Sequence, residues 1–473
     1  MSGAREQFGS RIGFILAAAG SAVGIGNLVG FPVGAAKNGG GAFLLMYAIF
    51  VFAICLPVML AEMSVGRKAK KDPLGAYRIL GGNSTGWKLA GWLSIITPFM
   101  IAVFYMVITI WILGYLAEVF MGNLDALANP EMFGQFINSP SIFGYMAAVI
   151  GIVYLILQGG VKEGIEKAAK LLMPSLFLML LLLVIFVLTQ DNAMAGVKFY
   201  LIPDFSKITA EVVNGALSQA FFSLSLGMGI MITYGSYIDN RSDVPGSAKL
   251  VAITDTAVAF TAGLMILPAI FSFNPQTDPS QLSESSIGMI FTFLPKIFLA
   301  LQATIGYMGA SIVAGIFFLL VFFAAITSLV SIFEVPVAAL MSEKDVNRKP
   351  ALMILGVLLI VLACMCAMSF GYNDFFTSFT SYAGTQKSFF DIVFDVFYET
   401  ILPLNGLLIC IFVIYRWKKH NFNEALDEGA PHYKGSFFEK YVDISVGTFI
   451  PVILFVIFVN TVALKYFGVS LFG

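Results

Sequence analysis

Charge is what this chain has least of. Only 12% of its 473 residues are Asp, Glu, Lys or Arg, against about 25% in soluble proteins. Another 59% are hydrophobic, so an integral membrane protein is expected. The formal net charge of −1 offers no basic face to nucleic acid. Histidine is nearly missing: His420 and His432 both lie in one hydrophilic loop near the C-terminus. That excludes a histidine metal site or catalytic triad inside the membrane. With no histidine in any span to work beside an acid, no acid–base machinery is evident and no enzyme is expected. Cys55, Cys364, Cys366 and Cys410 all sit in apolar runs, where a thiol behaves as a small hydrophobe. Cys364 and Cys366 are too close for a zinc pattern, and no second pair accompanies them. Met1 to Arg11 shows no cleavable signal pattern.

Apolar runs, in contrast, fill the chain. Windows of roughly 20 residues, the length that crosses a bilayer, give about 11 spans. They lie near 11–36, 41–66, 90–121, 142–159, 168–190, 209–238, 246–273, 301–341, 350–371, 388–417 and 440–468. Lysine and arginine cluster after the second span (Arg67, Lys68, Lys70, Lys71, Arg78) and the fourth (Lys162, Lys167, Lys170). They recur after the eighth (Lys344, Arg348, Lys349) and the tenth (Arg416, Lys418, Lys419), whereas 121–140 and 372–386 have none. Positive loops stay on the cytoplasmic side. The expectation is a multi-pass protein of the cell inner (plasma) membrane, with its N-terminus cytoplasmic and its C-terminus outside.

Two spans carry residues that break helices. The first contains Gly20-Ser21-Ala22-Val23-Gly24-Ile25-Gly26-Asn27 and ends at Phe31-Pro32; the sixth contains Gln219-Ala220-Phe221-Phe222-Ser223-Leu224-Ser225-Leu226-Gly227-Met228-Gly229. A break at membrane depth frees backbone groups that hydrocarbon cannot satisfy, so it survives only inside protein or beside a polar cavity. Half-helix N-termini then suit a carboxylate, and loose carbonyls suit a small cation. The alternative is glycine packing closely against a neighbouring helix. With five spans between them the breaks run in opposite directions, as in inverted repeats whose binding site lies where the two broken helices meet.

Other polar residues stand inside apolar runs. Asp255 is an ionisable group in the seventh span, by default a functional candidate, although it could snorkel to the interface. Thr327 and Ser328 in the eighth could bind an ion or simply bond the preceding turn. Glu62 in the second span could be structural, and Tyr105 and Trp111 in the third could be core or interface aromatics.

These residues resemble the neurotransmitter:sodium symporter family. The first-span sequence, Phe31-Pro32 and Asn38-Gly39-Gly40-Gly41-Ala42-Phe43 are similar to its first-helix signature, and 219–227 to its sixth. The likeness runs along nearly the whole chain, including Arg5 and the loop at 160–167, and its length is similar to that of eleven-span bacterial members. The resemblance implies an all-α leucine-transporter-like fold with a 5+5 inverted repeat and broken helices 1 and 6. Its parts would be a cytoplasmic gate segment 1–10, repeats 11–190 and 209–418, and a cytoplasmic loop with the eleventh span, 419–473.

By position, the resemblance also implies two Na+ sites. The first would use the Ala22 carbonyl, Asn27, Ser223, Asp255 and the substrate carboxylate. The second would use the carbonyls of Gly20, Val23 and Ala324 with the hydroxyls of Thr327 and Ser328. All are hard oxygen donors, mostly neutral. The substrate carboxylate would meet the Tyr105 hydroxyl and the Ile25 and Gly26 amides, and its ammonium the Phe222 carbonyl and Ser225. Ile101, Tyr105, Phe222, Met228, Ser328 and Ile332 would line a pocket for large apolar or aromatic side chains. Gly24 stands where amine transporters of the family carry Asp, which favours an amino acid that brings its own carboxylate. Asp255 would supply the fixed negative charge that chloride provides elsewhere, so no chloride requirement is expected.

Gate positions depart from the family pattern. Gly30 replaces an Arg, and Phe394 replaces an acid, with Asp395 one step along. Phe8 replaces a Trp, and Ser342 stands where the acid partner of Arg5 should be, with Glu343 and Asp345 nearby. Arg5, Phe8 and Tyr237 are the expected inner gate, and Phe222, Phe394 and Asp395 the outer. The outer gate should close by apolar contact of Phe222, Phe31 and Phe394 over Tyr105, without a salt bridge. The function implied is sodium-coupled import of a hydrophobic or aromatic amino acid by alternating access. The alternative is the same fold carrying another small zwitterionic or amine solute. A receptor is excluded by the short loops, and nothing in the sequence sets an oligomeric state.

Overall fold

The computed structural model describes residues 6–273 and 286–471. Among these, nine helices are long and apolar enough to cross a membrane: Gly41–Ala69, Thr85–Phe120, Ser141–Gln158, Val161–Leu188, Val244–Ser272, Gln302–Lys344, Arg348–Ala367, Phe389–Arg416 and Phe437–Phe467. Another crossing is the bent pair Arg11–Ala22 and Gly26–Lys37, which turns by 54° at its break. The sixth segment consists of Ala210–Ser223 and Ile230–Gly235, joined by an irregular link and each too short to span alone. The order is the one expected, with the fifth span starting earlier because a π-helical turn, Val161–Glu166, leads into it.

Local chemistry explains the ends. Ser10 caps the first helix by accepting from the Gly13 amide, and Thr209 caps the sixth by accepting from Val212. Each satisfies an amide that has no partner within its helix. The first break begins at Val23, whose backbone is extended (φ −73°, ψ 98°), and helix resumes through a π-helical turn, Gly26–Gly30. In the sixth segment the link turns through left-handed residues Ser225, Gly227 and Gly229. At Gly227 a Cβ would lie 2.4 Å from the Leu402 carbonyl oxygen, so only glycine fits.

The third and eighth spans form the inner scaffold, with 83% of each apolar window buried; the fourth and eleventh bury only 28% and face lipid. The third runs 36 residues, about 54 Å at 1.5 Å per residue, and so projects beyond the bilayer. The eighth is kinked at Gly306 (φ 73°). Between the ninth and tenth spans, β1 (Thr380–Tyr382) pairs antiparallel with β2 (Thr385–Lys387). This hairpin lies on the face opposite residues 6–10.

Candidate binding site at the two breaks

Ending the first half-helix at Ala22 leaves carbonyls without helical partners. Side chains of the eighth span meet them. Ser328 Oγ lies 3.5 Å from the Gly20 oxygen, 3.3 Å from that of Ser21 and 3.5 Å from that of Val23. Thr327 Oγ1 bonds its own preceding turn, lying 3.1 Å from both the Phe323 and the Ala324 carbonyls. The groups proposed from sequence for the second ion thus converge from two spans, all of them neutral oxygens. Ser331 Oγ, which sequence reasoning missed, donates to Ser21 Oγ at 2.8 Å and steadies the same break.

A second cluster surrounds Asp255, which is fully buried with Asn27 and Ser223. Asn27 Nδ2 donates to Asp255 Oδ1 at 2.7 Å and to Ser223 Oγ at 2.8 Å, while Asn27 Oδ1 accepts from the Gly24 amide at 3.2 Å. Ser223 Oγ donates to Asp255 Oδ2 at 2.9 Å. Tyr47 donates its hydroxyl to the same oxygen at 2.9 Å. Among the described residues no Lys or Arg bonds Asp255, so only dipoles offset its charge and the cluster can accept a cation. Tyr47 had no sequence signal: a tyrosine in an apolar span reads as core.

Between the clusters, the Tyr105 hydroxyl accepts from the Ile25 amide at 3.3 Å. A Cβ at Gly24 would lie 2.8 Å from Ser328 Oγ and 2.9 Å from the Tyr105 hydroxyl, and one at Gly26 would lie 2.9 Å from the Phe222 ring. These contacts bring Gly24, Ile25, Gly26, Tyr105, Phe222 and Ser328 around one point. Ser225 Oγ donates to the Ser21 carbonyl at 2.9 Å, which links the two breaks directly. Ile101, Met228 and Ile332 are buried in the same core. The Ala22 carbonyl lies at the end of the first half-helix.

On the hairpin face, Phe222 packs edge-on against Tyr398 at 4.4 Å between ring centroids. Tyr398 in turn packs on Phe394 at 4.6 Å, and Phe394 on Phe104 at 5.3 Å. Above Phe222 lies a cavity of about 420 Å³ lined by Gln219, Phe222, Phe394, Tyr398, Glu399 and Lys465 among others. One expectation needs correction. Phe31 takes no part in this cover; after the π-helical turn it packs on Phe43, Tyr47 and Tyr200, with centroids 5.6, 4.7 and 6.4 Å away. Asp395 does not reach across the opening. It begins a π-helical stretch with Phe394, accepts from the Tyr382 hydroxyl at 2.7 Å, and pairs with Lys387 and Lys465 at 3.5 Å each. Its charge therefore ties the hairpin and the eleventh span to the tenth. Tyr398 is the residue that sequence reasoning missed.

On the other face, the Phe8 ring sits among Phe14, Tyr234 and Tyr237, with centroids 5.4, 5.5 and 6.2 Å away. The Phe8 amide donates to the Tyr237 carbonyl at 3.0 Å. The Tyr237 hydroxyl donates to Glu334 Oε1 at 2.7 Å, and Arg348 binds Glu334 at 2.6 Å and Glu6 at 2.9 Å. Arg5 lies outside the described residues. Glu343, near the altered Ser342, is held by Arg78 at 2.7 and 2.8 Å. Glu334 and Arg348 went unassigned in the sequence, although a glutamate inside Ile332–Pro336 is itself a signal.

Two facing helix breaks, lined by oxygens and covered on both sides, define a helical secondary transporter. The chain belongs to the sodium:neurotransmitter symporter family, whose profile matches residues 5–132 and 134–470; it is a sodium-dependent symporter and a multi-pass membrane protein. It is 32% identical over 467 residues to an uncharacterized sodium-dependent transporter of Bacillus subtilis, covering 98% of each chain. It is also 32% identical to one of Methanocaldococcus jannaschii, over 90% of this chain and 84% of the other. The crystal structure of MhsT in complex with L-phenylalanine superposes with a TM-score of 0.83 at 38% identity, covering 96% of this chain and 99% of that one.

Proposed function

We propose that this protein imports a hydrophobic or aromatic amino acid in symport with sodium, which binds at two sites. The face that carries residues 6–10 is cytoplasmic in the inner (plasma) membrane, and the repeats 11–190 and 209–418 move against each other to expose the site alternately. One observation carries the substrate class: Tyr105 and Ser328 leave no room for a side chain at Gly24. The anion that meets the Ile25 and Gly26 amides must then arrive on the substrate, as an amino-acid carboxylate does. Its ammonium faces the Phe222 carbonyl and Ser225, and its side chain lies among Ile101, Met228 and Ile332. MhsT, in complex with L-phenylalanine, supports this reading.

Sodium at the first site takes Asp255, Ser223, the Ala22 carbonyl and the substrate carboxylate, with Asn27 presenting its oxygen after half a turn of its amide. Sodium at the second site takes Gly20, Val23, Ala324, Thr327 and Ser328. Asp255 supplies the negative charge, so chloride is dispensable. Phe222 and Phe394, bridged by Tyr398, cover the outside; Phe8 and Tyr237 cover the inside. Uptake of radiolabelled leucine, phenylalanine and tryptophan into proteoliposomes tests the proposal. Accumulation above equilibrium is expected with an inward sodium gradient, with chloride absent, and not with potassium. Lysine or glutamate competing better than leucine or tryptophan would overturn the substrate class, because an apolar pocket would desolvate their charge at a cost of several kcal/mol.

A further inference from the structure

The link between the halves of the sixth segment has no helical ladder of its own, so its shape depends on the side chains that take up its backbone groups. Two other spans supply them, and the link adds a bond of its own to the first span. Ser225 bonds the first-span carbonyl of Ser21 at 2.9 Å. The Gly227 amide donates to Glu62 Oε1 of the second span at 2.7 Å, and the Gly227 carbonyl accepts from Asn405 Nδ2 of the tenth at 2.8 Å. One residue is thus gripped at both its amide and its carbonyl, beside Met228, which is 1% exposed.

Asn405 has no role in the ion sites or in either cover. It is 2% exposed, within the apolar run Leu402–Ile411. Burying an amide there is unfavourable unless it is bonded. Its nitrogen faces Gly227, since a carbonyl can only accept, and it lies 3.2 Å from Thr97 Oγ1 on the third span. Thr97 is one helical turn before Ile101 and two before Tyr105. Asn405 therefore joins the wall that bears Ile101 and Tyr105 to the link that bears Met228, from the span that also carries Phe394 and Tyr398.

We propose that Asn405 is a substrate-positioning residue that sets side-chain size selection: by holding the Gly227 carbonyl it fixes Met228 against the far end of a large substrate. Methionine has three rotatable bonds and a pliant thioether, so the backbone that carries it decides where it packs. The inference rests on the amino-acid site proposed above. A bulky side chain reaches Met228, whereas a smaller one does not.

Sodium-dependent equilibrium binding of leucine and tryptophan to the purified full-length protein tests it. In Asn405→Leu, which keeps the volume and loses the bond, tryptophan affinity is expected to fall about tenfold and leucine affinity by less than about threefold, in line with one buried hydrogen bond. Thr97→Val, which removes only the longer contact, leaves both within about twofold. A merely structural role would reduce the number of binding sites and the melting temperature without moving the tryptophan-to-leucine ratio. Asn405→Ser, too short to reach Gly227, is read in the same way where Asn405→Leu does not fold. An unchanged ratio in either folded variant overturns the role of Asn405. A wild-type protein that binds neither amino acid in sodium overturns the proposed function instead.

Discussion

Removing Arg348 strands a carboxylate. Glu334 is fully buried, accepts from the Tyr237 hydroxyl at 2.7 Å and sits 2.6 Å from Arg348, whose guanidinium also holds Glu6. Breaking a buried pair by deleting one partner costs about 3–5 kcal/mol. In Arg348→Met that cost falls on the closed state, because opening this face lets water reach Glu334. Some of it is relieved by the hydroxyl of Tyr237, so about 3 kcal/mol, the low end of that range, is the working figure. At about 1.4 kcal/mol per tenfold, opening becomes roughly a hundred times more frequent. Hydrogen–deuterium exchange of the amides from Phe8 to Phe14 reads this directly and should quicken by that factor. Substrate affinity should fall only to the extent that the open form becomes populated, since the fraction competent to bind from outside sets it. The paired change Arg348→Met with Glu334→Leu removes both charges and should return exchange to within about fivefold of wild type. Unchanged exchange in the single variant, or a double variant as open as the single, would refute the reasoning.

Three further outcomes follow from the site. Asp255→Asn removes the only charge in its cluster and should abolish uptake in chloride-free buffer, with partial recovery when chloride is added; full chloride-free uptake would contradict the role given to Asp255. Gly24→Ala places a methyl group 2.8–2.9 Å from two hydroxyl oxygens, and at about 1–3 kcal/mol of overpacking should weaken substrate binding at least about fivefold, checked by calorimetric titration in sodium. Tyr398→Ala removes the ring that joins Phe222 to Phe394 and should speed substrate dissociation about tenfold, while leaving sodium affinity in the absence of substrate unchanged; stopped-flow displacement measures both.

The breaks are legible in the sequence because Gly24, Gly26, Asn27, Ser223 and Gly227 contradict the apolar runs that contain them. Asp255, Thr327 and Ser328 stand out for the same reason. Tyr47 and Tyr398 do not, since an aromatic ring with one hydroxyl suits an apolar core as well as a site. Arg348 reads as one more positive charge at a membrane boundary, and only the fold shows it turned inward onto Glu334. The aim of Asp395 depends on the π-helical stretch Phe394–Ile401, which rotates side chains relative to an α-helical count and leaves no mark in the order of residues. Asn405 is visible as a lone amide among aliphatic residues, but its partner is a backbone carbonyl 178 positions away.

The divided sixth segment bears on how the protein is made. Its longer half has 14 residues and its shorter half six, so the longer spans about 21 Å, less than the roughly 30 Å of hydrocarbon. Glu211, Asn214, Gln219 and three serines further oppose its partition into lipid. As the chain leaves the ribosome, this segment is therefore expected to enter the bilayer less readily than its neighbours. Its bonds to the first and second spans, formed once the chain packs, would then hold it in place. A nascent chain halted near residue 240 should therefore hold its first five spans more firmly in the membrane than this one, which makes the centre of the transport pathway a late part of the chain to settle.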